Sequence, residues 1–205
     1  MIAGLILLVG CGGPPYYTSD AFADRHPGLG DMASMSLLQG CPVEGASASH
    51  LRKSYGTPVV TPVQDSASSE WRFRLDDRSS LDALVHGDTV VRWDVPGRPS
   101  PRIAQRNYAW SQKLAKGFPD RAIEYLDAHP DLSPRTAFLI LRACAVPGLS
   151  AQALRASWGM PSRLGTRGDT AHWIYGFGVE GQHDVILLVS DTVRAFRSVE
   201  WTPGE

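Results

Sequence analysis

The chain has 205 residues, 43% of them hydrophobic, enough for a two-part core. Its 20 Lys and Arg against 21 Asp and Glu leave a formal net charge of −1. That balance argues against non-specific binding to nucleic acid or to an anionic membrane surface.

Residues 1–10 are uncharged and almost wholly apolar, and they end at Cys11. So short a run cannot span a bilayer as a helix, which needs about 20 residues, but it fits the apolar part of a secretory signal. Leu8-Val9-Gly10-Cys11 resembles a bacterial lipobox, in which the cysteine is acylated; no Lys or Arg precedes it. Gly12-Gly13-Pro14-Pro15 then reads as a tether, and we assign residues 1–10 to a signal segment and 11–24 to a lipidated tether.

From here the chain repeats itself. Leu51-Arg52-Lys53-Ser54-Tyr55-Gly56-Thr57-Pro58 returns as Leu154-Arg155-Ala156-Ser157-Trp158-Gly159-Met160-Pro161, 103 residues later. At the same offset His26-Pro27 meets His129-Pro130, Cys41 meets Cys144, Gly45 meets Gly148 and Ser47 meets Ser150. A constant offset across helix-like and strand-like segments means a duplicated unit.

In each copy the pattern predicts two helices. Asp31–Gln39 carries Met32, Met35 and Leu38 at helical spacing, and its counterpart opens at Ser133-Pro134 with Phe138 and Leu141 on the apolar face. Ser47 and Ser150 are placed to cap a second short helix. Leu51 with Tyr55, and Leu154 with Trp158, share its inner face, and Gly56 and Gly159 stop it. Strands follow. Trp71, Phe73 and Leu75 alternate with polar residues, and Trp173, Tyr175 and Phe177 hold the same places in the second copy. Leu81–Val85 and Val90–Val95 continue the first sheet, Val185–Val189 and Val193–Val199 the second; Val59–Val63 reads as a short edge strand because of Pro62.

Pro96–Pro101 is the strongest break and reads as an accessible linker, giving a first repeat over 25–97 and a second over 98–205. The second holds a helical insert at 102–128, expected to pack between the repeats with Ala122, Ile123 and Leu126 inward. The fold class is therefore α+β: two tandem repeats, each a helix pair packed on one face of a three- or four-stranded antiparallel sheet. For Cys41 and Cys144 two readings stand, a disulfide in an exported protein and two small buried residues in separate turns. Equivalent positions in two copies need not be neighbours, so separate turns are the expectation.

The unit Gly45 … Leu51-x-x-x-Tyr55-Gly56-x-Pro58 … Trp71-x-Phe73 … Asp88-x-Val90 resembles the SmpA/OmlA (BamE-like) family of small outer-membrane lipoproteins. The second copy, Gly148 … Leu154-x-x-x-Trp158-Gly159-x-Pro161 … Trp173-x-Tyr175, matches more closely. Two such units in tandem resemble the architecture of β-lactamase inhibitor proteins. The resemblance implies a secreted or lipid-anchored protein that binds other proteins, with no common catalytic residue; single-unit members lack the duplication and the insert.

The residues themselves give no enzyme. No nucleophile elbow, glycine-rich phosphate loop or zinc-ligand spacing occurs, so no catalytic residue, cofactor or metal is assigned. His172 and His183, with Asp169, Glu180 and Asp184 close in sequence, read as surface residues, and His26 and His129 as local backbone caps. The expected function is a non-enzymatic protein-binding or envelope-assembly module at the outer membrane, facing the periplasm or the cell surface. Its partners would be an envelope protein and, through the lipid anchor, the membrane, with no nucleic acid. The alternative is a secreted inhibitor or small-ligand-binding protein on the same scaffold. The binding residues expected are Arg194, Trp201 and Phe177, because aromatic residues and arginine dominate interface centres, and because Val91 and Leu75 of the first copy become Arg194 and Phe177 in the second. If Cys11 is lipidated, Cys11→Ser is expected to move the protein from the membrane to the soluble fraction or leave it unprocessed. Unmodified Cys11 in mature protein, seen by mass spectrometry, would contradict the anchor.

Overall fold

A computed structural model describes residues 40–63, 67–76, 78–106, 117–176 and 182–200. It is α+β, with two four-stranded antiparallel sheets, each in the strand order of the sequence. The first repeat contributes α1 (Ala48–Tyr55), β1 (Val59–Pro62), β2 (Ser68–Arg74), β3 (Ser80–His86) and β4 (Thr89–Asp94). Next come α2 (Arg102–Arg106), α3 (Asp120–Ala128), α4 (Pro134–Leu141) and α5 (Ala151–Trp158), then β5 (Arg163–Arg167), β6 (Thr170–Gly176), β7 (Gln182–Val189) and β8 (Thr192–Glu200). The expected Asp31–Gln39 helix lies outside the described residues, so a helix pair is seen only in the second repeat, as α4 and α5.

The duplication recurs in caps, turns and strand pairing. Ser47 caps α1 by accepting from the Ser49 amide, and Ser150 caps α5 by accepting from that of Ala153. Gly56 and Gly159 end those helices at φ of 85° and 80° and donate back to the carbonyls of Arg52 and Arg155. Ahead of each helix the chain pairs with the start of the last strand: Gly45 donates to Val90, and Gly148 to Val193. Each last strand carries a β-bulge at the same place, opposite Leu84/Val85 and Leu187/Leu188. The inward rows match as well. Trp71 lies between Val60 and Ala83, Trp173 between Leu164 and Ile186, while Trp93 and Phe196 face Ala83 and Ile186. All four aromatic residues are buried.

Of the described strands, one escaped the sequence pattern. Arg163–Arg167 has no hydrophobic alternation and a glycine at its centre, and it is β5, the edge of the second sheet.

One expectation is corrected. The cysteines do not sit in separate turns: Cys41 and Cys144 form a disulfide, with Cα atoms 5.9 Å apart. The insert is described at its two ends, 102–106 and 117–128: α2 packs on α4, and Ile103 and Ala104 join the shared core. Its helix α3 packs on α4 and α5, with Ala122 and Leu126 buried and Ile123 half-buried. The element that joins the repeats is α4. Residues Ala137–Leu141 are buried in succession, so the helix is enclosed on all sides. Phe138 meets two rings of the first repeat, Tyr55 and Trp93, each at a centroid distance of 6.2 Å. Arg135 lies 3.9 Å from the centre of the Trp93 ring and donates to the Trp93 carbonyl. The buried side chains of both repeats consequently form one continuous core.

Around the disulfide the two copies present matching contacts. Gly40 and Ala143, each preceding its cysteine, have positive φ values of 72° and 53°. The Tyr55 hydroxyl donates to the Gly40 carbonyl at 2.5 Å, and the Trp158 indole N–H to the Ala143 carbonyl at 2.9 Å. Arg142 crosses between copies: its Nη2 also donates to the Gly40 carbonyl, and its guanidinium lies 5.3 Å from the centre of the Tyr55 ring. A side chain at position 40 would strike that guanidinium, with Cβ 2.7 Å from Nη2. Burial pushes the Tyr55 pKa up, against the opposing pull of Arg142, so the phenol stays a donor.

The linker is exposed at 96–98 and held by hydrogen bonds from both ends. Asp76 accepts from the amides of Arg78, Ser79 and Ser100, at 2.7, 2.9 and 2.7 Å. Arg98 donates to the carbonyls of Leu126, at 2.7 Å, and Pro130. Partial burial works to raise the Asp76 pKa, but the amide donors outweigh it and hold the carboxyl below its usual range. A depressed folded pKa stabilises above the unfolded value of about 3.9, and that stability is lost as pH falls through the folded value. Asp76→Asn should therefore speed tryptic cleavage after Arg102, the first arginine of this stretch not followed by proline, at neutral pH, and its stability deficit should close as the solution is acidified below the ordinary carboxylate range. Equal cleavage half-lives would show that Asp76 does not hold the linker.

The disulfide closes a loop between positions 103 residues apart. Cross-links of that span are worth about 4.7 kcal/mol by loop-closure entropy, and losses on removal are typically about 2–5 kcal/mol. A Cys41→Ala, Cys144→Ala variant should lose stability in that range and, because the core is shared, still unfold in one transition followed by calorimetry. Two separated transitions would mean that the bridge alone couples the repeats.

Candidate protein interface on the second sheet

One face of each sheet is covered; the other is where the copies diverge. The outward residues are fixed by strand register. On the first sheet Val59, Arg72, Asp82 and Asp94 form one row across the strands, and Thr61, Glu70, Leu84 and Arg92 the next. On the second, Arg163, Ile174 and Val185 form the first row, and Gly165, His172, Leu187 and Ala195 the second. Arg167, Thr170, Val189 and Thr192 make a third.

In the first repeat this face is a solvated charge lattice. Arg72 makes a bidentate contact with Asp82, its Nη2 2.6 Å from Oδ2. Burial works to raise the Asp82 pKa, but hydrogen bonds from Arg72 and Ser80 bring it below its usual value. In the second repeat Ile174 and Val185 occupy the same two places, half-buried and cross-strand partners. Glu70 becomes His172, and Arg92 becomes Ala195. Ile174, Val185, Leu187, Val189 and Ala195 therefore form an aliphatic patch, bordered by Arg163, Arg167, His172 and Arg194. Among the described side chains of this face none is acidic.

Arg194 stands where the bulge places an extra residue in β8, between Val193, which pairs with Leu188, and Ala195, which pairs with Leu187. It is exposed; its counterpart Val91 holds the bulge of the first sheet. Phe177 and Trp201, expected beside it, lie outside the described residues, as do Cys11 and His26.

The patch had a signal in the sequence that the alternation rule passed over. Val185-Ile186-Leu187-Leu188-Val189 is apolar on both strand faces, whereas Leu81-Asp82-Ala83-Leu84-Val85 puts a carboxylate outward. A one-sided solvated strand has no need of five aliphatic residues in a row.

The histidines behave as the local reading expects where they are described. His129 stacks on Tyr125 at 4.1 Å, and its Nδ1 lies 2.8 Å from the Tyr125 carbonyl at the end of α3. His172 is exposed on the outer face, while Asp184 is buried on the inner face opposite Tyr175. The two therefore point to opposite sides of the sheet. Among the described residues no three His, Cys, Asp or Glu side chains gather to hold a metal ion.

No family model matches the sequence, so the SmpA/OmlA resemblance rests on its motifs alone, and no curated protein matches it. Among solved structures the chain is similar to the 1.40 Å crystal structure of a “putative beta-lactamase inhibitor protein” from Streptococcus mutans. The two are 10% identical, the match covers 75% of this chain and 82% of that one, and the TM-score is 0.24. So low a score carries no argument about fold or partner.

Proposed function

We propose that this chain is a non-enzymatic protein-binding module of the bacterial cell envelope, anchored through Cys11, with the outer face of the second sheet as its contact surface. The observation that carries the reading is the contrast between two copies of one face. The first keeps an ion-paired, water-facing lattice around Arg72 and Asp82. The second replaces that pair with Ile174 and Val185 and sets an exposed arginine at the bulge. An aliphatic centre with an arginine at its border has the composition of an interface rather than of ordinary surface.

The Cys41–Cys144 disulfide supports export, because such bonds persist in oxidising compartments and are rare in the cytosol. Within the proposed boundaries, 25–97 and 98–205, the repeats act as one body, since α4 of the second fills the core of the first. Removing an interface hot spot costs at least about 2 kcal/mol of binding. With a partner isolated from detergent-solubilised envelope, an Arg194→Ala, Trp201→Ala variant that folds normally should bind at least about thirtyfold more weakly. Unchanged affinity would remove this face from the interface.

A further inference from the structure

The second sheet offers an edge as well as a face. β5 is its outermost strand, and among the described residues no strand lies beyond it. All five of its residues are exposed. An edge strand presents backbone N–H and C=O groups that can template another strand unless something blunts it. The equivalent edge in the first repeat is blunted by Pro62, which cannot donate; β5 has Thr166 in that place. At its centre is Gly165, in the place of Thr61, where an added Cβ would meet nothing within 4 Å. The fold does not require a glycine there, and its effect is to leave the backbone open to close approach.

The two sides of this edge differ in chemistry. Arg163 and Arg167 fall on the outer face, the face without acidic side chains among the described residues, with His172 on the neighbouring strand. Leu164 falls on the inner side, paired with Trp173 and still 51% exposed. Strands lie about 4.8 Å apart and successive side chains alternate between faces. A strand added here would bring every second side chain beside the arginines and the others over Leu164. We propose that β5 receives an extended polypeptide segment in which acidic and apolar residues alternate, laid down as a fifth strand of the second sheet. This rests on the protein-binding reading above and specifies the partner's chemistry. Charge complementarity selects that occupant over a second copy of the chain, because antiparallel pairing of β5 with itself would set Arg163 and Arg167 against like charges.

The test is to pan a random peptide library displayed on phage against the full chain. Enriched peptides should carry Asp or Glu at every second position with apolar residues between. A fluorescent synthetic copy of the strongest should bind in anisotropy measurements and weaken as salt screens the charges. Arg167→Glu, at an exposed position, should reduce its affinity roughly tenfold, with the circular dichroism spectrum unchanged. N-methylation of alternate peptide amides, which keeps the charges but blocks strand pairing, should abolish binding. The proposal is overturned by no enrichment, by enrichment of neutral or basic peptides, by indifference to Arg167→Glu, or by full binding of the N-methylated peptide. Sedimentation showing a dimer that Arg167→Glu alters would assign the edge to a second copy instead. The two readings separate cleanly. Peptide binding that survives Arg194→Ala, Trp201→Ala supports the edge whatever becomes of the face, and an envelope partner that ignores Arg167→Glu but needs Arg194 and Trp201 leaves the face and removes the edge.

Discussion

Cys41 and Cys144 hold equivalent places in the two copies, and the bridge between them ties the repeats together at one buried point. Everything beside it comes in pairs: two positive-φ residues, two carbonyls, and two aromatic donors, Tyr55 and Trp158, that satisfy them. The pairing solves a local problem. A carbonyl turned inward beside a buried disulfide needs a donor, and the last residue of each short helix supplies one. Arg142 breaks the symmetry, reaching Gly40 and the Tyr55 ring from the opposite copy. The covalent bond, the shared carbonyl and the Phe138 contacts all act on the same junction, so the repeats are coupled where they are most alike.

Duplication also frees one copy to change. Inward positions kept their character: Trp71 and Trp173 each lie under an arginine of their own helix, Arg52 at 4.2 Å and Arg155 at 4.6 Å from the ring centre. Outward positions did not. Where the first sheet has carboxylates at Glu70 and Asp82, the second has His172 and Val185 at the same register. Core packing constrains the inner rows in both copies, because a change of volume there costs stability. The outer rows answer only to water or to a partner.

What could be read from the chain follows that same division. The described helices and seven of the eight described strands were legible, because caps, glycine stops, alternating aromatics and an edge proline are local signals. β5 was not, since an edge strand exposed on both faces has no hydrophobic period to show. The junction was illegible for a different reason. The offset between Cys41 and Cys144 shows that they are equivalent, but proximity depends on how the two copies are arranged, which no local pattern encodes. Phe138 was readable as core, though not as core for the other repeat. The candidate face lay in between: Arg194 stood out as a replacement for Val91, while the aliphatic patch beside it was hidden in a run that resembled an ordinary buried strand.

The position of the bridge also decides how the protein bears mechanical load. Cys41 precedes every described element of the first repeat, and Cys144 follows α4, so the chain between them, β1 to β4 included, is a closed ring. Tension applied to the chain ahead of Cys41 passes through the sulfur atoms to Cys144 and on into α5 and the second sheet. The first sheet lies beside that path, shielded from the pull by a single covalent bond, and of the described elements only α5 and the second sheet lie in series with the load.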